Sequence, residues 1–157
     1  MNKRLTAFLT ALIIPLTFLL SACGSSALTR EEYRAELVSA TQEYAAAQMK
    51  VVSVMMDSES GDGYFTGDEK KFKESCKEFE SAMKRIEKIN PPDDYKARHK
   101  DAVKALGNER EWLKAVKDYT KADTPEKLEK ADNAIQKAAN YENSFPEQVF
   151  EIVKSLS

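Results

Sequence analysis

The stretch LTREEYRAELVSATQEYAAAQMKVVSV, residues 28–54, carries a regular apolar pattern. Its apolar positions recur in alternating steps of four and three residues: Tyr33, Leu37, Ala40, Tyr44, Ala47, Val51 and Val54. Residues at this spacing share one face of an α-helix. Thr29 and Glu32 have the spacing of a capping box, in which each side chain binds the other residue's backbone N–H. The stretch therefore predicts a long amphipathic helix that begins just after Thr29.

The same rhythm continues along the chain and predicts three more helices and a short terminal one. The apolar stripe of the second helix is Phe72, Cys76, Phe79, Met83 and Ile86. The third helix follows Pro91-Pro92 and has Tyr95, His99, Ala102, Leu106, Leu113, Val116 and Thr120 in register, and the fourth has Leu128, Ala131, Ile135, Ala138 and Tyr141. Ser144-Phe145-Pro146-Glu147 then breaks or kinks the helix before a last apolar piece. We expect an all-α fold: an antiparallel up-down-up-down four-helix bundle with a Pro-kinked last helix.

The composition excludes several classes of protein. The 157 residues include 24 Lys plus Arg, 26 Asp plus Glu, one His and two Cys, with a formal charge of −2. This balance excludes a strongly basic nucleic-acid binder, and two cysteines cannot form a disulfide-rich scaffold. A single histidine excludes most metalloenzymes. We expect no nucleic-acid partner, no cofactor and no enzymatic activity.

The first 23 residues have the pattern of an export signal. Lys3 and Arg4 precede an uncharged apolar run, residues 7–20, which is shorter than a membrane span requires. The run ends at Leu20-Ser21-Ala22-Cys23, which resembles the lipobox of bacterial lipoproteins. The resemblance implies that the Cys23 sulfur receives a diacylglycerol, with fatty acids such as palmitate, and that cleavage makes Cys23 the first mature residue. It also implies attachment to the cell membrane at its extracytoplasmic face.

These features divide the chain into a lipoprotein signal peptide (1–22), a lipidated tether (23–28) and a helical bundle domain (29–157). Cleavage before Cys23 would leave 135 residues with a formal charge of −4. Cys76 would then be the only free thiol, so the mature chain could form no internal disulfide. We expect its stability to come from packing of the helices.

The junction between the second and third helices carries another resemblance. Pro91-Pro92, followed by Tyr95 and His99, is similar to a helix junction of small, uncharacterised helical lipoproteins of Gram-positive bacteria. This resemblance implies a helical bundle and brings no activity.

His99 is the first candidate ligand for a metal or haem. If the second and third helices fold back around Pro91-Pro92, Met83 lies level with His99, and thioether and imidazole groups can both bind copper or haem iron. The alternative is a packed, hydrogen-bonded core histidine. A single pair of ligands without a second histidine favours that alternative.

A second candidate is the loop from Ser58 to Glu69, which aligns with a twelve-residue EF-hand calcium loop. Asp62 occupies the fifth position and Glu69 the twelfth, but serines stand at the first and third positions, where the motif has anionic ligands. The alternative is a helix–helix turn in which Thr66 and Glu69 form a capping box.

The sequence thus leaves two hypotheses for function. In the favoured one the protein is a membrane-anchored, non-enzymatic binding or interaction module, attached through its lipid. It would engage an envelope protein or small ligand through a helix groove or exposed aromatic residues, with Tyr64, Phe65, Trp112, Tyr119 and Phe145 as candidates. In the other, a helical bundle binds metal or haem through His99 with Met83, or calcium through the Ser58–Glu69 loop.

Overall fold

The computed structural model describes residues 27–57, 63–139 and 144–156. These residues form five α-helices: α1 (Arg30–Met56), α2 (Glu69–Glu87), α3 (Lys96–Tyr119), α4 (Pro125–Ala139) and α5 (Phe145–Ser155), with a short 3₁₀ turn at Asp93–Tyr95. The prediction of an all-α fold is confirmed. The predicted signal peptide and Cys23 lie outside the described residues.

The start of α1 follows the sequence closely. The Thr29 backbone N–H donates to the Glu32 carboxylate at 2.9 Å, and the Glu32 N–H donates to the Thr29 hydroxyl at 3.2 Å. The predicted capping box is therefore confirmed. The predicted apolar stripe is also buried from Tyr33 to Val51, so this face of α1 forms the centre of the core.

Ion pairs establish how the first three helices run. Arg85 near the end of α2 pairs with Glu36 and Glu43 in the first half of α1, while Lys50 pairs with Glu78 further back in α2. These two helices are therefore antiparallel. Along the other edge of α2, Glu87 pairs with Arg110 and Glu80 with Lys117, so α2 and α3 are antiparallel as well.

Two separate helices stand where the sequence predicts one kinked helix. Thr124 accepts the first backbone hydrogen bond of α4, from Leu128, as predicted for a helix that starts at Pro125. Pro146 is within the first two positions of α5, where a proline costs no backbone hydrogen bond. Residues 140–143, which include the predicted core residue Tyr141, lie outside the described part of the chain.

The last two helices differ in their burial. α5 packs against α1 and α3 and buries Phe145, Val149 and Ile152. α4 packs against α3, and Ala131 is the one buried residue within it. The contact of α5 with α1 includes the packing of Phe145 against Tyr44.

Candidate functional site

The most polar part of the core lies where α1, α3 and α5 meet. The Tyr33 hydroxyl and His99 Nδ1 are joined by a buried hydrogen bond of 3.0 Å, and the two rings meet edge to face. Tyr95 packs against Tyr33 with 5.9 Å between ring centroids, and its hydroxyl donates to the Ser155 carbonyl at 2.9 Å. This cluster connects the starts of α1 and α3 with the end of α5.

Burial keeps the Tyr33–His99 pair neutral. Desolvation lowers the pKa of His99 and raises the pKa of Tyr33 to about 12. The Ile86 carbonyl acts against the shift of His99, although no hydrogen bond of normal geometry joins it to Nε2. With His99 only 5 % exposed, the imidazole is enclosed by protein, so this arrangement favours the packed core histidine.

Met83 is buried on α2, one turn before Ile86, whose carbonyl lies beside His99. Met83 lines a cleft between α2 and α3 together with Arg110 and Leu113. Those residues lie about 16 and 21 Å further along α3 than His99, at 1.5 Å per residue. The His99 side chain is hydrogen-bonded to Tyr33, which in turn packs against Tyr95. No three His, Cys, Asp or Glu side chains of the described residues cluster as a metal ion would require.

The cleft beside Met83 has a volume of about 330 Å³ and is spanned by ion pairs. Lys117 pairs with Glu80 at one end, and Arg110 pairs with Glu87 at the other. The buried thiol of Cys76 lies close enough to Lys117 and Glu80 to feel both charges, but burial is the larger effect and raises its pKa. A protonated, enclosed thiol is a poor nucleophile.

The centre of the core contains a second polar contact. Tyr44 is 2 % exposed and packs against Phe79 and Phe145, with ring centroids 5.1 and 4.8 Å away. Its hydroxyl makes no hydrogen bond of normal geometry, but the nearby Glu109 carboxylate contributes to raising its pKa. Burial also raises the pKa of Glu109, which accepts a hydrogen bond from Gln48 at 3.2 Å.

The predicted calcium loop is described only from Gly63 onwards, and Asp62 lies outside the described residues. Asp68 is the N-cap of α2, accepting hydrogen bonds from the backbone N–H groups of Lys70 at 2.8 Å and Lys71 at 3.1 Å. The predicted Thr66–Glu69 capping box is therefore wrong, because an aspartate directly before the helix supplies the cap. The Glu69 carboxylate instead pairs with Lys73 at 2.7 Å.

The five aromatic residues predicted as a surface patch are not strongly exposed. Phe145 is fully buried against Tyr44, so its place in a surface patch is wrong. It is the first residue of α5, and packing turns it into the core. Trp112 is half-buried edge-on to Phe79, Phe65 is half-buried against Phe72, and the Tyr119 hydroxyl donates to the Gly63 carbonyl.

Three of the four exposed large apolar residues of the described chain lie on α1 instead, and the fourth is Phe150 on α5, which is 64 % exposed. Met49 and Met56 are each 73 % exposed and Val52 is 38 % exposed. Together with Val38 and Ala45 they form a second line of apolar residues, which we call the outer stripe of α1. The sequence carries a signal for it: residues 44–56 contain one charged residue, Lys50, in a chain that is 32 % charged.

Comparisons with known proteins identify no relative: no family model matches the chain, and neither a curated protein nor a solved structure matches it. None of the helices within the described residues has the length and apolar character needed to cross a bilayer.

Proposed function

We propose that this chain is an extracytoplasmic lipoprotein, held at the cell membrane by a diacylglycerol on Cys23, whose helical domain acts as a non-enzymatic protein-interaction module. One observation carries the interaction role: the outer stripe of α1 is apolar and uncharged, and it is exposed from Ala45 to Met56. Apolar patches of this kind on soluble domains mark contact surfaces for other macromolecules.

The anchor is supported by the order of features around Leu20-Ser21-Ala22-Cys23. The basic start, the short apolar run and the small residues before Cys23 fit export followed by lipidation. Two acyl chains give stable attachment where one gives only marginal binding. The Leu28 backbone N–H donates to the Asn90 carbonyl at 3.1 Å, so a short tether after Cys23 would bring this end of the domain close to the membrane.

We propose further that the domain is an antiparallel four-helix bundle in which α4 and α5 together take the place of the fourth helix. Three contacts support this arrangement. The Tyr95 hydroxyl joins the start of α3 to the end of α5 at Ser155, Phe145 packs against the middle of α1, and α4 packs against α3. The break at Ser144–Pro146 would divide this last helix into two straight pieces rather than kink a continuous one.

The metal or haem alternative has less support. The His99 imidazole is hydrogen-bonded to Tyr33 and enclosed by protein, while Met83 lines the cleft beside Leu113. Glu69, the last ligand position of the calcium alternative, is paired with Lys73. A buried and neutral Tyr33–His99 pair supports a structural role in holding α1 against α3.

Site-specific photocrosslinking of the full chain in its own membrane tests the interaction role. A photoreactive residue at position 49, in the outer stripe, is expected to give discrete protein crosslinks. The matched control is position 104, an exposed lysine on the outer side of α3. Equal, diffuse labelling from both positions would contradict the proposal.

A further inference from the structure

Most lysines of α2 lie along one side of the helix, the side next to α3. They follow one another in steps of three, four and seven residues, which places them on one helix face. Lys84 lines the cleft between α2 and α3, and the others are one to four turns away on the same side. We call these five exposed residues the lysine row: Lys70, Lys73, Lys77, Lys84 and, directly after the helix, Lys88.

The opposite wall of the cleft is also basic. Arg110, Lys114 and Lys117 line it from α3, in steps of four and three residues. Two ion pairs span the cleft and hold the helices antiparallel, so Lys84 lies across it from Lys114. Cations therefore flank the cleft on both sides, and we call the two rows together the basic face.

The carboxylates around the cleft do not balance these cations. Four of the eight cations make ion pairs: Lys73 with Glu69, Arg110 with Glu87, Lys114 with Asp118 and Lys117 with Glu80. Within the described residues, the other four make no ion pair: Lys70, Lys77, Lys84 and Lys88. With Glu74 counted at the outer edge of α2, the basic face holds eight cations and five carboxylates, in a chain whose formal charge is −2. This local excess of positive charge favours an anionic ligand.

We propose that the basic face binds a flexible phosphate polyanion, such as polyphosphate or a phosphodiester chain, which lies along the cleft. The four unpaired lysines are spread from Lys70 to Lys88, over about 27 Å of helix. A single small anion reaches one or two of them, whereas a chain of phosphates can reach all four. The axes of packed helices lie about 8–10 Å apart, so the two rows can contact one chain from both sides.

The kind of cation favours phosphate over carboxylate ligands. Arg110 is the only arginine of the basic face, and its guanidinium is paired with Glu87. An arginine fork matches a planar carboxylate, whereas a lysine ammonium binds phosphate as a point charge. Neither row contains an aromatic residue, so the face offers no platform on which nucleic-acid bases could stack. A phosphate chain without stacked bases is therefore the ligand that fits this face best.

The ion pairs at the rim leave the basic face accessible. The side chains of Lys73 and Lys114 are 66 % and 77 % exposed, and each pairs with a carboxylate of its own helix. Exposed pairs of this kind contribute little free energy, so a phosphate can replace the carboxylate at small cost. The two ion pairs between α2 and α3 hold the walls of the cleft together.

Calorimetric titration of the full chain with long-chain polyphosphate, in a non-ionic detergent, tests the inference. Lys77→Gln combined with Lys84→Gln is expected to weaken binding about tenfold or more at low salt, because two unpaired cations leave the centre of the row. The slope of log affinity against log salt concentration is expected to fall in magnitude by about one to two. The matched control, Lys130→Gln combined with Lys137→Gln, removes two exposed lysines of α4 and is expected to change the affinity by less than about threefold.

Equal losses of affinity in the two double variants would overturn the inference, because binding would then follow net charge alone. The inference is also overturned if long-chain polyphosphate does not bind at low salt. Equal competition by inorganic phosphate would indicate a site for a small anion instead, and equal competition by poly-glutamate of the same total charge would indicate a site for acidic peptides. The titration depends neither on the outer stripe of α1 nor on a lipid at Cys23, so the proposed function stands or falls separately.

Discussion

The Tyr33 hydroxyl lies 3.0 Å from His99 Nδ1, and this buried hydrogen bond joins the first turn of α1 to the first turn of α3. The two residues are 66 positions apart in the sequence, so the bond fixes the relative position of two helices that are not consecutive. Next to it, the hydrogen bond from the Tyr95 hydroxyl to the Ser155 carbonyl connects the same point to the end of α5.

Tyr33→Phe is expected to destabilise the domain by about 1–3 kcal/mol, because it leaves a buried imidazole nitrogen without a partner. Tyr44→Phe is the matched control, since Tyr44 is an equally buried tyrosine of α1 whose hydroxyl makes no normal hydrogen bond. Removing a buried hydroxyl that makes no normal hydrogen bond costs no bond, so Tyr44→Phe is expected to leave the free energy of unfolding unchanged or to raise it. Urea unfolding of both variants measures the difference, and equal losses would contradict the role given to the Tyr33–His99 bond.

The lowered pKa of His99 predicts a loss of stability at acid pH. The unfolded chain takes up a proton near pH 6.5, whereas the buried imidazole resists protonation. The contribution of His99 is therefore complete above pH 6.5 and declines as the pH falls below that value. The neighbouring phenol of Tyr33, with its pKa raised to about 12, stays neutral over this range, but the raised pKa of Glu109 acts in the opposite direction.

The contribution of His99 can be isolated by comparing the free energy of unfolding at pH 7.5 and pH 5.5 in the wild type and in His99→Gln. Glutamine can still accept a hydrogen bond from Tyr33 but does not titrate. The variant is expected to lose less stability than the wild type on acidification. Identical pH dependence in the two proteins would show that the imidazole is not the group responsible.

Gly107 lies in the interior of α3, and a Cβ atom added there meets nothing within 4 Å. Gly107→Ala is therefore expected to stabilise the domain by about 0.5–1 kcal/mol, because alanine loses less backbone entropy in a helix. A rise in the urea midpoint without a change in its slope is the expected result. Destabilisation would mean that α3 is not a continuous helix at this position.

At the N-terminus of α2, the role of Asp68 as a helix cap can be tested separately from a role of Glu69 as a calcium ligand. Asp68→Ala is expected to cost about 1 kcal/mol, since two backbone N–H groups lose their acceptor. Glu69→Ala removes only an exposed ion pair and is expected to cost less than about 0.5 kcal/mol. Thermal unfolding with and without calcium completes the test: stabilisation by calcium that disappears in Glu69→Ala would favour the EF-hand hypothesis instead.

Features that depend on neighbouring residues could be predicted from the sequence, and features that depend on how helices meet could not. The Thr29–Glu32 capping box and the buried stripe of α1 follow from spacing alone. The neighbours of Met83 depend on how α2 and α3 meet: Met83 lies beside Arg110 and Leu113, and one turn after it the Ile86 carbonyl lies beside His99.

Residue spacing alone also could not predict which aromatic residues are exposed and which are buried. Phe145 stands beside a proline in a polar segment, which is typical of a surface turn, yet α5 begins at this residue and packs it against Tyr44. The outer stripe of α1 was present in the sequence as a second four-three rhythm. It could be distinguished from core residues only when the structure left Met49 and Met56 uncovered.

Membrane fractionation of cells expressing the full chain, combined with the intact mass of the extracted protein, tests whether a lipid on Cys23 anchors the protein. The expected result is a detergent-extractable membrane protein whose mass corresponds to residues 23–157 plus lipid on Cys23. Cys23→Ser is expected to accumulate as the unprocessed 157-residue chain without lipid. A wild-type chain recovered from the soluble fraction, with an unmodified Cys23, would contradict the proposed anchor.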